Sequence, residues 1–402
     1  MSVVKPIRPS PHIMTLVSIA AIGPLAMNVF LPSMPGMARY FDADYRIIQL
    51  LVSLYLVAIA VTQLIVGPLS DRYGRRPVLL GGLGIFAAST LAAIFAPNVE
   101  TLLVCRMFQA TAAAGMVLSR AVVRDTVSSL DDAASRIGYV TMGMAVVPMI
   151  APALGGVLEE LYDWKASFIL TFVLAVIIIA IAYFNLPETN HNRSKSMLSQ
   201  LGSYPELFRS RRFWGYALTA GFASGAFFAF LGGGPYIASE MLGMQPSDYG
   251  IYFGIVSIGY MLGNYISGRF SKIGGVNRMM LMGNLLGLAG SLLAIGLFSV
   301  GLMHPLSLFG PTALIGIGNG MVLPNSNAGM VSVRPHLAGS ASGLGGTMQI
   351  SVGAAAAFLA GALLSPQSGP MPLLWVMLFS MVMAILSTSY VIHVQRQLQK
   401  QD

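Results

Sequence analysis

Charged residues are scarce in this chain of 402 residues, because aspartate, glutamate, lysine and arginine make up 9% of it while 55% is hydrophobic. Soluble domains carry about 25% charged residues, so a soluble domain is excluded. A single cysteine, Cys105, excludes an internal disulfide and a multi-cysteine metal site. The five histidines have no ligand spacing, and the alternating ten-residue segments typical of barrel strands are missing from the sequence. We therefore expect a polytopic helical membrane protein without a metal or a cofactor.

Long apolar runs alternate with short polar turns, and the runs are long enough to cross a bilayer as helices. Twelve such spans cover approximately residues 13–33, 47–68, 77–96, 101–121, 137–158, 166–186, 213–236, 249–270, 277–300, 304–326, 338–364 and 371–394. The predicted fold class is therefore an all-α membrane protein with twelve transmembrane helices. The longest polar interval predicts an N-terminal six-helix bundle (1–187), a cytoplasmic linker (188–212) and a C-terminal six-helix bundle (213–402).

Two basic turns occupy the same place in the two predicted bundles. GPLSDRYGRR follows the second span and GNYISGRFSKIGG follows the eighth, where Gly268 stands in place of an acid. Repeats of six helices related by an axis along the membrane normal are typical of secondary transporters. The sequence thus predicts two pseudo-symmetric halves.

The lysines and arginines set the orientation. With both termini inside, 19 of the 23 fall in cytoplasmic segments, whereas only Arg39, Arg46 and Lys165 fall outside and Arg106 lies within a span. Positively charged loops remain on the cytoplasmic side. This predicts a multi-pass protein of a bacterial inner membrane with both termini in the cytoplasm. Membrane topology also explains the net charge of +8, so no nucleic-acid partner is expected.

The most informative stretch is GPLSDRYGRRP, residues 67–77, between the second and third spans. Its glycines predict a tight cytoplasmic turn, and Pro77 suits the first position of the following helix. Topology alone explains the three arginines, but it leaves Asp71 unexplained. A carboxylate there is a candidate partner for the exposed N–H groups at the start of the eleventh span, near Gly339 and Ser340.

Four segments resemble motifs of one family. Residues 67–77 resemble the GxLxDRxGRRP signature of the major facilitator superfamily. RMFQ at 106–109 is similar to the RxxQG motif of drug:proton antiporters, although Ala110 replaces the glycine. PMIAPALGG at 148–156 resembles the antiporter motif ending GPxxGG, and LPSMP at 31–35 resembles the first-helix motif of the bicyclomycin/chloramphenicol-resistance (Bcr/CflA) branch. The resemblance implies the twelve-helix major facilitator fold and drug:proton antiport.

The resemblance also implies roles for individual residues. An inner gate would contain Asp71, Arg72, Gly74, Arg75, Asp125, Gly339 and Ser340. Arg106 would face the central cavity, bonded to the first helix or to Gln109, and snorkelling to the outer interface is the alternative. Asn28 stands where the branch has aspartate, and asparagine cannot titrate. No other acid falls inside a predicted span, so the expected proton carrier is missing.

Two further groups of candidates concern packing and substrate. Pro148, Pro152, Gly155 and Gly156 would kink the fifth helix and allow close packing, with Gly254, Gly259 and Gly263 of the eighth as partners. Candidate substrate contacts are polar or aromatic residues in apolar helices: Tyr55, Phe227, Phe230, Tyr236 and Asn319. Each is individually more typical of packing. Together they suit an apolar pocket for lipophilic molecules.

These features predict a secondary active efflux transporter that exports lipophilic or amphipathic compounds by alternating access, coupled to protons as the resemblance implies. The expected partners are a small lipophilic substrate, protons and the lipid bilayer, with the protein acting as a monomer. One alternative is a dedicated exporter of a metabolite such as a siderophore. Another is a receptor or scaffold that transports nothing. An enzyme is not expected, because the sequence contains no recognisable nucleophile–base set or phosphate loop.

Overall fold

The computed structural model describes residues 11–127, 130–190, 204–334 and 337–398, which form helices and turns. Twelve long helices follow in chain order: α1 (Ile13–Tyr40), α2 (Tyr45–Tyr73), α3 (Arg75–Ile94), α4 (Val99–Thr126), α5 (Leu130–Leu161), α6 (Trp164–Asn185), α7 (Arg211–Met241), α8 (Pro246–Gly274), α9 (Val276–Ser299), α10 (Pro305–Val333), α11 (Ala338–Leu363) and α12 (Met371–Leu398). The predicted all-α fold is thereby confirmed. Most of the predicted linker, residues 191–203, lies outside the described residues.

Eleven stretches of the described chain are long and apolar enough to cross a membrane. The long helix that falls short is α8, whose tyrosines, glycines and asparagine lower its mean hydropathy. It packs beside α5 and α10, both of which are among the eleven. The structure is therefore that of a multi-pass membrane protein. We call the end of the bundle with the turn after α2 the inner end, and the end with the turn after α1 the outer end.

Four of the long helices are built from shorter pieces, and α2 is the simplest case, interrupted only at Gln49. The first piece of α1 ends at Asn28, and a 3₁₀ turn at Leu31–Ser33 leads into a second piece, Met34–Tyr40. The break lies just before Pro32, which has no N–H to donate and restricts the residue before it. A 3₁₀ turn likewise divides α4, and a π-helical turn ends α7. Near the break in α1, the Ala26 carbonyl accepts a hydrogen bond from a side chain of α4.

The helices pack in two groups that follow chain order. The first helix lies against α4, α5 and α6, while α7 lies against α10, α11 and α12. Between the N-terminal and C-terminal six helices, α2 packs along α11 and α5 packs along α8. The division into two bundles joined by a linker stays a prediction.

Candidate functional site

The turn between α2 and α3 is shorter than the sequence indicated. α2 continues through Asp71 to Tyr73, only Gly74 is non-helical, and α3 begins at Arg75. The φ of Gly74 is 108°, a conformation that favours glycine. Pro77 is therefore the third residue of α3, not its first as predicted, and it still fits because N–H groups of the first turn have no partner within the helix. Gly67, the other glycine assigned to the turn, lies inside α2.

Arg75 holds the two acids of the predicted gate together. Its Nη1 lies 2.6 Å from Asp71 Oδ1, and its Nε lies 3.1 Å from Asp125 Oδ2. The same Nη1 donates to Ser70 Oγ at 2.6 Å. The Arg75 side chain is only 14% exposed, so solvent screens this pair of interactions less than a surface ion pair. By contrast, Arg72 is exposed and lies over the Tyr73 ring.

Glu188 caps the start of α3, a role that the sequence analysis missed. Its Oε1 accepts from the Arg75 backbone N–H at 2.9 Å, and its Oε2 accepts from that of Arg76 at 3.2 Å. A carboxylate at a helix N-terminus satisfies orphan donors and complements the helix dipole. It also packs so closely on Gly74 that a Cβ there would clash with it. The available signal was one acid directly after the sixth span, in LPETN.

The two residues after Glu188 bind the end of α2 and the end of α4. Asn190 Nδ2 donates to the carbonyl oxygens of Ser70 at 3.1 Å and of Asp71 at 2.9 Å. Thr189 Oγ1 donates to Asp125 Oδ2 at 3.2 Å. Residues 188–190, which we call the strap, therefore join α2, α3 and α4 at the inner end.

We predict that Glu188→Gln lowers the free energy of unfolding by about 1–2 kcal/mol, because it removes the charge and one of two acceptors at the α3 N-terminus. Thermal unfolding of the purified protein in detergent measures the change. Glu206→Gln is the matched control, since Glu206 forms an ion pair with Arg334 that is about half exposed on both sides. Equal stability losses in the two variants would contradict a capping role.

The helices α2 and α11 run antiparallel, in a register that shifts by no more than three residues along their length. The neighbouring pairs are Arg46 with Leu364, Gln49 with Gly361, Ala60 with Thr347, and Gln63 with Gly346. Continued eight residues past Gln63, this register brings Asp71 level with Ala338, the first residue of α11. Gly339 and Ser340 lie in the same first turn. The register is consistent with the predicted gate, whose action stays a prediction.

Arg106 is buried where three helices meet and does not snorkel to the interface, since only 1% of it is exposed. Its Nε donates to the Leu51 carbonyl of α2 at 3.1 Å, and its Nη2 donates to the Ala26 carbonyl of α1 at 2.9 Å. Its Nη1 donates to Gln109 Oε1 at 2.7 Å. Ala26 lies in the last turn of the first piece of α1, where carbonyls lack partners within the helix.

Two aromatic rings enclose the Arg106 guanidinium. Its central carbon lies 3.9 Å from the ring centroid of Tyr55 and 4.3 Å from that of Phe30. The Tyr55 hydroxyl donates to the Gly23 carbonyl at 3.3 Å, which fixes the ring against α1. Cation–π contacts contribute about 2 kcal/mol or more when they are desolvated. Tyr55, predicted to contact substrate, thus supports Arg106.

Five amide side chains of the described residues have a buried atom without a partner there, and three of them, Asn28, Gln109 and Asn319, are candidate site residues. Asn28 Nδ2 donates to the Pro24 carbonyl at 2.8 Å, while its Oδ1 has no partner among the described residues. Gln109 Nε2 and Asn319 Oδ1 are likewise buried without a partner there. Most buried polar atoms are paired, so unpaired ones call for an explanation. Asn28 and Asn319 thus present unpaired acceptor atoms on α1 and α10, and Gln109 presents an unpaired donor on α4.

The small residues of α5 permit close contacts with two helices. Gly155 lies against the Val29 carbonyl, where a Cβ would clash, and Gly156 lies against Pro246 and Ser247 of α8. Pro152 is buried in the same stretch. Small residues in membrane helices allow backbones to approach in this way. The helix therefore packs on α1 and α8 simultaneously.

The glycines predicted to meet α5 are not the ones that do so. Gly259 and Gly263 lie against α10, and Gly254 has open space around it. Gly250 is the glycine of α8 that contacts α5, beside Pro152. Two turns later along α8, the Ser257 hydroxyl donates to the Pro148 carbonyl at 3.4 Å. Sequence spacing gave the correct helix pair but the wrong face of α8, because α8 has small residues on both faces.

Two of the aromatic candidates for substrate binding pack on one ring, Phe253, and a third lies at the outer end. Phe230 is fully buried, stacked on Phe253 with centroids 6.0 Å apart. Phe227 is partly buried beside the same ring at 6.3 Å. Tyr236 lies at the outer end, 4.8 Å from Tyr45 between centroids. In this conformation Phe230 and Tyr236 are packing residues, and a substrate role for them stays a prediction.

Direct contacts between the N-terminal and C-terminal six helices close the outer end. Arg39 Nη1 of α1 lies 3.1 Å from Glu240 Oε1 of α7. The Tyr45 hydroxyl donates to the Gly232 carbonyl at 3.1 Å, and Glu160 accepts from the Ser247 hydroxyl at 2.6 Å. The outer end is therefore sealed in this conformation.

Known proteins similar to this chain are transporters. A family model described as Major Facilitator Superfamily matches residues 16–357. The chain is 33% identical over 358 residues to an uncharacterized MFS-type transporter of Bacillus subtilis, covering 85% of this chain and 86% of that protein. It is 31% identical over 365 residues to multidrug resistance protein D of Escherichia coli, covering 89% of each. Identity to a chloramphenicol resistance protein of Pseudomonas aeruginosa is 28%, covering 82% and 79%.

A solved structure has the same fold. It is a bacterial homolog of the human lysosomal transporter Spinster in an inward-facing, unoccupied conformation. The TM-score is 0.74 over 96% of this chain and 97% of the other, with 14% sequence identity. At that identity the similarity establishes the fold alone.

Proposed function

Because the chain belongs to the Major Facilitator Superfamily, in the Bcr/CflA branch of its drug:proton antiporters, we propose that it is an efflux transporter of lipophilic or amphipathic compounds. It would work by alternating access in a bacterial inner membrane, with both termini in the cytoplasm. The substrate class is supported by the relative named for multidrug resistance.

The observation that carries this proposal is the setting of Arg106. A fully buried cation is costly in a membrane span and usually marks a functional site. The Arg106 guanidinium donates to backbone carbonyls of α1 and α2. The amides of Asn28 on α1 and Gln109 on α4 each have one buried atom without a partner among the described residues. An apolar interior with a few convergent polar groups suits a lipophilic ligand that carries one or two hydrogen-bonding groups.

Two sets of contacts would act as the gates of the transport cycle. The outer contacts, including Arg39 with Glu240, would close the site from outside. The network of Asp71, Arg75 and Asp125 would stabilise the inner closure against the start of α11. Alternating access requires that the outer contacts and the contact of this network with α11 are not both closed at the same time.

Transport by inverted membrane vesicles tests the proposal. Vesicles with an acidic lumen should accumulate lipophilic dyes and chloramphenicol, because the lumen corresponds to the cell exterior and protons leave it as substrate enters. Dissipating the pH gradient with nigericin should stop accumulation. Vesicles without the protein are the control. Accumulation that does not depend on the pH gradient would contradict proton coupling but not drug efflux. Failure to accumulate any compound would contradict drug efflux itself.

A further inference from the structure

Glu159 is an acid that the predicted spans left outside the membrane but that the structure places within α5, two residues before its end. Its carboxylate packs directly on Gly36 in the second piece of α1, where a Cβ would clash with Oε1. The 3₁₀ turn at the break in α1 packs on α5, and Gly36 follows it by three residues. Glu159 is therefore part of the α1–α5 contact.

The Glu159 carboxylate is short of hydrogen-bond donors. Its Oε2 is buried without a hydrogen bond among the described residues. The Ser33 hydroxyl faces the carboxylate and favours the ionised form, but this effect is smaller than that of burial. An ionised carboxylate that loses water and gains no donor is costly, whereas a protonated carboxyl has a smaller desolvation cost and its own proton to donate. The closed outer end therefore favours the neutral carboxyl.

The charged groups around Glu159 do not reverse the preference for the neutral carboxyl in the closed state. Asp163, at the start of α6, acts on it with like charge, while Arg39 of α1 acts with opposite charge. Arg39 is 66% exposed and paired with Glu240, which weakens its effect on Glu159. The neighbouring Glu160 is exposed and bonded to Ser247.

A cavity of about 220 Å³ lies on the other side of Gly36, between the N-terminal and C-terminal helices. Its wall includes Pro32, Arg39, Gln245 and Tyr249. The Tyr249 hydroxyl is buried without a partner in the described chain. A water molecule occupies about 30 Å³ in the liquid, so the cavity has room for several waters. Its wall includes both the exposed Arg39 and Gly36, so water entering it would come close to the α1–α5 contact.

From this geometry we infer that Glu159 is a proton-binding site whose protonation accompanies closure of the outer end. Opening would separate the halves at the cavity, hydrate the carboxylate and release the proton to the outside. Closure therefore takes up a proton, and the closed state is favoured as external pH falls. One linked proton changes the closed-to-open ratio by at most about tenfold per pH unit. The inference rests on the alternating access proposed above.

Distances between two spin labels at the outer end test this inference. Labels at Tyr162→Cys, between α5 and α6, and Met303→Cys, between α9 and α10, replace residues that are 75% and 51% exposed. Cys105→Ala removes the one native thiol. In lipid nanodiscs between pH 5 and 8, we expect the short-distance population of the wild-type background to grow as pH falls. Glu159→Gln, which mimics the protonated form, should keep the short distance at every pH.

Control variants separate this site from its surroundings. Glu160→Gln loses the contact to Ser247 and should shift the populations, but it should keep the wild-type pH dependence. Ser33→Ala removes the hydroxyl that faces the carboxylate and should move the midpoint to higher pH, which tests the site even if Glu159→Gln fails to fold. A pH response unchanged in Glu159→Gln would overturn the inference. If two distance populations are present but do not change with pH, the inference about Glu159 is wrong and alternating access still stands. If one distance is found under all conditions, with substrate included, both the inference and alternating access are wrong.

Discussion

Replacing Arg106 by alanine is expected to reduce transport to background and to destabilise the protein. Three acceptors lose their donor at once, the carbonyls of Leu51 and Ala26 and the Gln109 side chain. A buried polar group left unpaired costs about 1–3 kcal/mol. The loss of the guanidinium also leaves a void between the rings of Phe30 and Tyr55. Transport and thermal unfolding should therefore fall together.

Arg106→Lys separates charge from geometry. A lysine keeps the positive charge, but its single ammonium cannot span three acceptors in the directions that a planar guanidinium does. If Arg106 acts through charge alone, the lysine variant should transport at least a tenth as fast as wild type. If it joins α1, α2 and α4, the variant should behave like alanine. We expect the second result.

The matched control for both variants is Arg124→Ala. Arg124 lies on the same helix, near the inner end, and is exposed. Its loss should leave transport and thermal unfolding near the wild-type values, because exposed charges contribute little to stability. Wild-type transport by Arg106→Ala would show that the buried arginine has no part in the cycle.

The sequence predicted the helices and their order because crossing a bilayer demands long apolar helices, whatever they pack against. It also predicted that α5 packs on α8, since small residues mark close helix contacts. Arg106 stood out because a charge in an apolar run is rare. Its bonds to Ala26 and Gln109 are among those that the sequence analysis offered as an alternative to snorkelling.

Features that depend on distant contacts escaped the sequence analysis. Glu188 follows the last helix of the N-terminal group, and only folding places its carboxylate at the start of α3. Glu159 seemed to lie beyond its span, since nothing in the sequence shows that Gly36, after the break in α1, packs on its carboxylate. Gly250 was overlooked in favour of three other glycines, because spacing alone does not tell which face of a helix meets which neighbour.

The network around Arg75 makes Asp71 the residue at the inner end with the largest expected effect on transport. Asp71 and Arg75 are 22% and 14% exposed, so their 2.6 Å contact is better shielded from water than an ordinary surface pair. The strap fixes the backbone of Asp71 through Asn190, which holds the carboxylate in place at the end of α2. The register of α2 and α11 brings it level with the positive end of the α11 dipole.

Asp71→Asn should therefore lower transport at least tenfold while leaving expression and membrane insertion unchanged. The amide keeps the shape of the side chain but loses the charge that both Arg75 and the α11 dipole would attract. Glu206→Gln is the matched control, because it breaks an inner-end ion pair of similar length that is about half exposed. A cycle with Arg75→Gln measures the coupling between the two residues. Unchanged transport by Asp71→Asn would contradict the proposed inner gate. It would favour a scaffold, which needs no gate, over a transporter.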